Sequence, residues 1–205
     1  IRSGSLAESC ELILIDRNGY HTYTPTLYEA ATTSKETANY CELKRIVTFP
    51  IPEIVKNRGI RFIQAEVNTL DLQDGDIHLS TGENIKFDYL ILALGAETHY
   101  FDIPGLKEHS LPLKTFLDAI KIRDAILETA QTKKDVRILI GGGGSTGVEL
   151  SGEIQEWLAY ATEEVPGCRA QVSIVEAGPT LMLGFPNNII EKIQKRLKSF
   201  GTEII

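Results

Sequence analysis

The chain has 205 residues, of which 42% are hydrophobic and 24% charged, a balance that allows a globular core and excludes collagenous or low-complexity protein. Its formal net charge of −7 argues against a nucleic-acid partner, because binding phosphates requires a basic surface. This length leaves either one large domain or two small ones open.

The cysteines and the apolar stretches indicate the compartment. Cys10, Cys41 and Cys168 lie far apart and form no CxxC or CxxxxC pair that could act as a redox dithiol or a metal clip. The longest apolar stretch, 89–96, is too short to span a bilayer, and no signal peptide is recognisable. We therefore expect a cytoplasmic protein.

Strands dominate the first predicted elements. Residues 11–15 form an apolar run that predicts a buried strand delivering Asp16 to its carboxyl end. Residues 6–9 are compatible with the end of a preceding helix. Four short β-rich runs, separated by turn signals, then predict an antiparallel meander, at 61–66, 67–72, 76–80 and 84–87. The apolar run 89–94 predicts a strand that re-enters a parallel sheet.

Helices and strands alternate in the remainder of the chain. An amphipathic helix is predicted over 114–132, and from 135 onward the order is β-α-β-α-β, which predicts a parallel sheet. The two strands are expected at 136–140 and 172–175, with a third beginning at 203. The apolar stripes of the two intervening helices are Leu150, Ile154, Trp157, Leu158 and Ala161, then Ile189 or Ile190, Ile193, Leu197 and Phe200. Pro166-Gly167 closes the first of these helices.

One glycine turn carries the motif that indicates a ligand. Residues 142–147, GGGSTG, match GxGxxG between a predicted strand and a predicted helix, the context that dinucleotide binding requires. We expect Gly142 to permit the tight turn, Gly144 to let the backbone approach a pyrophosphate, and Gly147 to allow close helix-on-strand packing. The pyrophosphate would lie at the helix N-terminus. A purely structural glycine turn is the alternative.

An acidic residue follows each of two predicted buried strands. Glu176 is placed to accept hydrogen bonds from adenosine ribose hydroxyls and to repel a 2′-phosphate, which favours NADH over NADPH. An ordinary surface glutamate is the alternative. Asp16 repeats the pattern and suggests an earlier Rossmann unit whose glycine loop lies before Ile1.

Six further segments carry a resemblance that extends over about 11–205: LIDRNGYH at 14–21, TPTLYEAA at 24–31, FDYLILALGA at 87–96, IPG at 103–105, PLKT at 112–115 and GVELSGE at 147–153. Together they resemble the type II NADH dehydrogenase branch of the flavoprotein superfamily with two dinucleotide-binding domains. The resemblance implies an α/β chain of FAD/NAD(P)-binding Rossmann-like domains with a β-meander, truncated at both ends. It divides the chain into a partial FAD-binding domain (1–114), a linking helix (115–134) and the first part of an NADH-binding domain (135–205).

The resemblance also implies cofactors and an activity. FAD and NADH are expected, with hydride passing from nicotinamide to flavin and electrons leaving to a quinone. Peripheral attachment to the inner face of the cell membrane, through segments outside this sequence, and a homodimer are compatible with it. Because the first GxGxxG, a late Gly-Asp segment and the quinone-site strand are not in the sequence, we expect this polypeptide alone to be inactive.

Individual roles follow from the resemblance. Asp16 is implied to contact the FAD adenosine ribose and the Val67 backbone the adenine, while Thr24 and Pro25 lie near the isoalloxazine ring. Glu149, the candidate catalytic residue, resembles a glutamate that faces nicotinamide or acceptor. The candidate cofactor-binding residues are Asp16, Arg17, Thr24, Pro25, Val67, Ala93, Gly95, Gly142, Gly144, Ser145, Thr146, Gly147 and Glu176.

Each role has a structural alternative. Glu149 could serve first-turn helix electrostatics, Tyr28 and Glu29 could pack in a loop without touching flavin, and Lys114 could bond within the linker. Two rival functions also remain. One is a soluble flavoprotein reductase with a ferredoxin, rubredoxin, peroxide or disulfide acceptor, and the other is a non-enzymatic protein that uses the Rossmann shape for interaction.

Overall fold

The computed structural model of the protein describes residues 10–133, 135–163 and 169–205. These residues form two compact units. Unit 1 contains 10–23 and 48–97, and unit 2 contains 24–47 together with the described residues after 97. This partition differs from the domain boundaries at 114 and 134 drawn from the sequence, so those boundaries stay a prediction.

The strands are β1 (Leu12–Asp16), β2 (Tyr20–Thr22), β3 (Thr48–Pro50), β4 (Ile60–Gln64), β5 (Val67–Asp71), β6 (Asp76–Leu79), β7 (Asn84–Lys86), β8 (Asp135–Gly141), β9 (Arg169–Val175) and β10 (Glu203–Ile204). The α-helices are α1 (Leu27–Thr32), α2 (Tyr40–Val47), α3 (Ile51–Val55), α4 (Leu106–His109), α5 (Phe116–Thr132), α6 (Ser145–Glu163) and α7 (Asn187–Ser199), and a 3₁₀ helix covers Thr24–Thr26. None of the helices described is long and apolar enough to cross a bilayer.

Unit 1 is built from short strands. β1 pairs in parallel with β4, from Leu12 opposite Ile60 to Asp16 opposite Gln64, while β2 pairs antiparallel with β3. β5, β6 and β7 form an antiparallel meander over a small core that includes Ile77, Leu79 and Ile85. The predicted meander was therefore wrong in its first member. The run at 61–66 contributes β4 to the parallel pair, because apolar alternation does not specify a strand's partner.

The apolar run 89–94 departs most from its prediction. It contains neither helix nor strand, and the residues Tyr89, Ile91 and Leu94 are 94%, 86% and 85% exposed. Among the strands described, none pairs with this run, so its backbone has no ladder to join. Leu90 is partly buried against the core of unit 1. The predicted strand is therefore wrong for this structure.

Unit 2 contains the predicted β-α-β-α-β order. Its sheet is parallel in the order β10-β9-β8, with Asp135 opposite Arg169 and Gly141 opposite Val175. α5 begins one residue after Thr115, whose hydroxyl accepts the Asp118 N–H at 3.2 Å while the Asp118 carboxylate accepts the Thr115 N–H at 2.9 Å. This reciprocal capping box satisfies two backbone donors and fixes the start of the helix.

The core of unit 2 lies between the sheet and its helices. The predicted α6 stripe is buried at Leu150, Ile154, Trp157 and Leu158, and it packs in one cluster with β8, β9 and α7. α7 contributes Ile190 and Leu197 to the same cluster. Phe200, predicted to belong to this apolar stripe, lies beyond the end of the helix and is exposed. The side chain of Ala161, Pro166-Gly167 and the helix end proposed at 6–9 lie outside the described part.

Candidate functional site

The glycine turn joins β8 to α6 at the carboxyl edge of the unit 2 sheet. Gly142 has φ +106°, a conformation that side chains with a Cβ rarely adopt, and its N–H donates to the Val175 carbonyl at 2.8 Å. The turn is therefore fastened to the end of the neighbouring strand. This is the geometry that the predicted role of Gly142 requires.

Gly147 and Gly144 differ in the space that surrounds them. A Cβ on Gly147 would overlap the Gly142 carbonyl oxygen and touch Ile140 Cγ2, so glycine lets α6 approach β8 closely. A Cβ on Gly144 would meet no heavy atom within 4 Å. The backbone at Gly144 thus faces open space, as an approaching pyrophosphate would need.

The α6 N-terminus offers free backbone donors beside this space. The first bond within the helix runs from the Val148 N–H to the Gly144 carbonyl at 3.0 Å. The N–H groups of Ser145, Thr146 and Gly147 therefore have no acceptor one helical turn before them. Ser145 and Thr146 are also exposed. Together with the helix dipole, these donors favour an anionic ligand.

A cleft of about 330 Å³ lies next to this helix terminus within unit 2. It is lined by Thr24, Pro25, Leu27, Tyr28, Leu113, Lys114, Ser145, Thr146 and Glu149. The structure thus brings the predicted pair Thr24 and Pro25 to the start of α6, although more than a hundred residues separate them in sequence. Leu27 and Leu113 were missed, since no local pattern distinguishes a cleft-lining leucine from a core leucine.

Glu149 projects from α6 into this cleft. The helix begins at Ser145 and has no acidic residue in its first turn, so first-turn electrostatics do not explain Glu149. Its side chain is exposed, and no hydrogen bond or ion pair engages its carboxylate within the described ranges. The Lys114 ammonium, which lines the same cleft, also has no partner in that part of the chain. Both charges are available to a ligand.

Glu176 follows β9 and is bound to the glycine turn. Its Oε2 accepts the Gly143 N–H at 2.6 Å and its Oε1 accepts the Gly178 N–H at 2.7 Å. These N–H groups, of Gly178 first and of Gly143 second, lower the pKa of Glu176 below its usual value. The carboxylate is therefore ionised at neutral pH and lies beside the glycine motif. The number of residues between the motif and Glu176 did not by itself predict this proximity.

The candidates in unit 1 have a different environment. The Asp16 carboxylate accepts the backbone N–H of Asn18 at 2.8 Å and its side-chain amide at 3.3 Å, which closes a local turn. The Arg17 carbonyl accepts Gln64 Nε2 at 3.4 Å, and Val67 begins β5. Ala93 and Gly95 lie in the exposed segment without helix or strand, where Gly95 has φ +74°. No hydrogen bond found in the described residues joins these two to Asp16.

The chain is similar in sequence to curated proteins named type II NADH:quinone oxidoreductase. The chain is 30% identical over 207 residues to the type II NADH:quinone oxidoreductase of Staphylococcus epidermidis, covering 96% of this chain and 50% of the relative. The protein of the same name from Staphylococcus aureus is 30% identical, with 96% and 49% covered. The chain therefore spans about half the length of the curated relatives it matches.

Solved structures share the fold. The structure of NDH2 from Plasmodium falciparum in complex with NADH superposes with a TM-score of 0.82 at 24% identity, covering 97% of this chain and 43% of that one. The sulfide:quinone oxidoreductase of Aquifex aeolicus gives 0.68 at 17% identity, with 95% and 44% covered. The predicted α/β class with FAD/NAD-binding Rossmann-like domains is confirmed by these likenesses.

A family model described as pyridine nucleotide-disulphide oxidoreductase matches residues 3–205. That range contains the glycine turn, the residues of the cleft at the start of α6, Asp16 at the end of β1 and Glu176 after β9. The superfamily resemblance drawn from the sequence is thereby confirmed, and the chain belongs to the pyridine nucleotide-disulphide oxidoreductase family.

Proposed function

We propose that the protein is an FAD-dependent NADH:quinone oxidoreductase and that unit 2 of this chain binds the NADH. The observation that carries the proposal is the glycine turn together with Glu176. The turn presents a side-chain-free backbone and free helix N–H groups, and the acid that accompanies NADH specificity lies hydrogen-bonded against it. The names of the relatives support the same activity.

The residues of unit 2 fit the two ends of a dinucleotide. Gly144, Ser145 and Thr146 would hold the pyrophosphate, and Glu176 would accept hydrogen bonds from the adenosine ribose while opposing a 2′-phosphate. The nicotinamide end would extend toward the cleft that contains Glu149. Bound FAD would supply the two-electron chemistry, taking hydride from NADH and passing electrons to the acceptor.

Glu149 is the candidate catalytic residue because it combines exposure, a free carboxylate and a position in the cleft. We infer that it faces the nicotinamide or the acceptor and handles a proton during acceptor reduction. Thr24 and Pro25 line the same cleft and would border the flavin ring. In unit 1, Asp16, Arg17, Val67, Ala93 and Gly95 remain candidate FAD-binding residues.

Quinone is the proposed acceptor, by analogy with the relatives named above. Peripheral attachment to the inner face of a membrane and assembly as a homodimer belong to the same proposal. With ferredoxin, rubredoxin or peroxide as its acceptor, the protein would belong to a different branch of the same family. Measuring NADH oxidation with each kind of acceptor separates these outcomes.

The test uses the complete, FAD-loaded protein. Its NADH oxidation is followed with a short-chain quinone, with ferredoxin and with peroxide, beside the variants Glu149→Gln and Glu156→Gln. Glu156 is an exposed acid on the same helix that does not line this cleft, so it serves as the matched control. We expect Glu149→Gln to slow quinone reduction about 100-fold, with the Kd for NADH nearly unchanged, and Glu156→Gln to behave as wild type.

Two results would contradict the proposal in different ways. Turnover of NADH with ferredoxin or peroxide, and never with quinone, would refute the quinone oxidoreductase while leaving NADH binding intact. Equal loss of quinone reduction in the two glutamate variants would contradict the catalytic role proposed for Glu149.

A further inference from the structure

Gly143 occupies the second position of the glycine motif, which the motif leaves variable and to which it assigns no contact with the dinucleotide. It is buried, and both of its backbone polar groups are used. Its N–H donates to Glu176 Oε2 at 2.6 Å, and its carbonyl accepts the Met182 N–H at 2.8 Å. Gly143 therefore fastens the motif to the segment that follows β9.

The space around Gly143 is already filled. A Cβ at this position would overlap Leu181 Cδ2 and would lie 3.1 Å from both Cβ and Oε2 of Glu176. Leu181 is 1% exposed and belongs to the core of unit 2, so it has little room to move aside. Gly143 is not among the glycines with positive φ, so the requirement for glycine here is space and not backbone conformation.

We propose that Gly143 is a positioning residue for dinucleotide selectivity, because it fixes the Glu176 carboxylate where the adenosine ribose is recognised. The inference rests on the proposed function, in which Glu176 meets that ribose.

The physical basis is the limited freedom of the Glu176 side chain. One carboxylate oxygen is held by Gly143 and the other by Gly178, and both bonds are charge-assisted. With both in place the carboxylate keeps one orientation and offers its remaining lone pairs to ribose hydroxyls. A side chain at position 143 would displace Leu181 and Glu176 together. The ribose would then lose an oriented acceptor, and a 2′-phosphate would meet a more distant charge.

The experiment measures the selectivity of the complete, FAD-loaded protein. The Kd values for NADH and NADPH are determined by fluorescence titration for wild type, Gly143→Ala, Gly143→Val and Gly141→Ala. Gly141 is the matched control, because a Cβ there meets nothing within 4 Å and its φ is not positive. We expect the NADPH to NADH ratio of Kd values to fall about 10-fold in Gly143→Val, less in Gly143→Ala, and not at all in Gly141→Ala.

A rescue distinguishes positioning from general damage. Leu181→Ala removes the side chain that a Cβ at 143 would overlap, so the double variant Gly143→Ala/Leu181→Ala should recover selectivity relative to Gly143→Ala. Lower thermal stability with an unchanged ratio of Kd values would overturn the inference, even if Gly143→Val fails to fold and only the alanine variants are measured.

The same titration separates this inference from the proposed function. Failure of the wild-type protein to bind NADH would refute the proposed function itself. Preference of wild type for NADH, retained in the Gly143 variants, would refute only the role of Gly143.

Discussion

One acid ends β1 and another follows β9, and their surroundings differ. The prediction of a buried strand is wrong for β1, which contains no buried residue, whereas three residues of β9 are buried. The carboxylate of Glu176 in unit 2 accepts a backbone N–H from Gly143, 33 positions away, whereas that of Asp16 in unit 1 accepts from Asn18, two positions away. A neighbouring strand and its loop orient Glu176, while Asp16 is oriented by its own turn. The same sequence pattern therefore gives a carboxylate held by a distant part of the chain only where the loop of an adjacent strand reaches it.

Two apolar runs extend the comparison. The run at 136–140 lies within β8, pairs with β9 and contributes Val136 and Ile140 to the core. The run at 89–94 has no charged residue, whereas 136–140 contains Arg137, yet 89–94 pairs with no strand described and is largely exposed. Apolar composition thus selects a strand only when the structure supplies both a ladder partner and a covering layer.

Hydrogen exchange would test the contrast between the paired strands of unit 2 and the run at 89–94. The expected effect is the largest of those predicted. In the 205-residue chain, amides in the centre of β9, such as that of Ile174, should exchange only by global opening, at a free energy of about 5 kcal/mol or more. Amides at 91–94 should exchange near the rate of an unstructured peptide. Comparable protection of the two segments, measured by NMR, would show that 89–94 has found a partner.

Gly147→Val would disturb the packing of the glycine turn in unit 2. Its side chain would be forced against the Gly142 carbonyl, and overpacking of this kind costs about 3 kcal/mol of the free energy of unfolding. The matched change Gly152→Ala, in the same helix with no atom within 4 Å of the new Cβ, should stabilise by about 0.8–1.0 kcal/mol. Denaturant titration would measure both, and equal effects would mean that α6 does not need to approach β8 so closely.

Replacing each acid would test which of them recognises the nicotinamide dinucleotide. In the complete protein, Glu176→Ala should weaken selectivity for NADH over NADPH by about 1–3 kcal/mol, because it removes charge-assisted bonds and the repulsion of a 2′-phosphate. Asp16→Ala should leave that selectivity unchanged. Titration of both variants with NADH and NADPH measures this selectivity. A change of selectivity in Asp16→Ala would contradict the proposed NADH site in unit 2.

Glu153 on α6 offers the smallest effect and the opposite sign to Glu176. Burial, followed by the nearby charges of Glu156 and Glu29, raises the pKa of Glu153. Folding therefore favours its protonated form, and stability falls as pH rises from the usual value of 4.5 through the raised pKa. At pH 7, Glu153→Gln should stabilise by about 0.2–0.5 kcal/mol.

Thermal unfolding of Glu153→Gln at several pH values would check this sign. The advantage over wild type should vanish below pH 4.5, where Glu153 is protonated in both the folded and the unfolded state. An advantage that persists unchanged at low pH would point to a cause other than charge.

Much of unit 2 could be predicted from the sequence because its signals are local. The periodicity of Leu150, Ile154 and Leu158 specifies one helix face, and a strand-glycine-helix order specifies a parallel unit. The bounds of α5 followed from its apolar spacing to within two residues at its start.

The remaining features depend on contacts between distant residues. Nothing in the β4 run indicates that its partner is β1, and nothing in 89–94 indicates that it would lack one. The cleft joins Lys114 and Leu113 to the start of α6 through tertiary packing alone. The place of Gly143 depends on Leu181 and Glu176, so a motif that leaves its second position variable could not reveal it.

The double attachment of Glu176 also constrains how coenzyme preference could be redesigned or could drift during evolution. If Glu176 disfavours a 2′-phosphate as proposed, a variant that prefers NADPH must discard the negative charge at position 176, yet the N–H groups of Gly143 and Gly178 would then be left without an acceptor. Glutamine, a neutral replacement of the same length that still presents an oxygen, would meet part of that need. Coenzyme switching in this chain is therefore expected to require a coordinated set of substitutions around the turn, with position 176 changed alongside its hydrogen-bond donors.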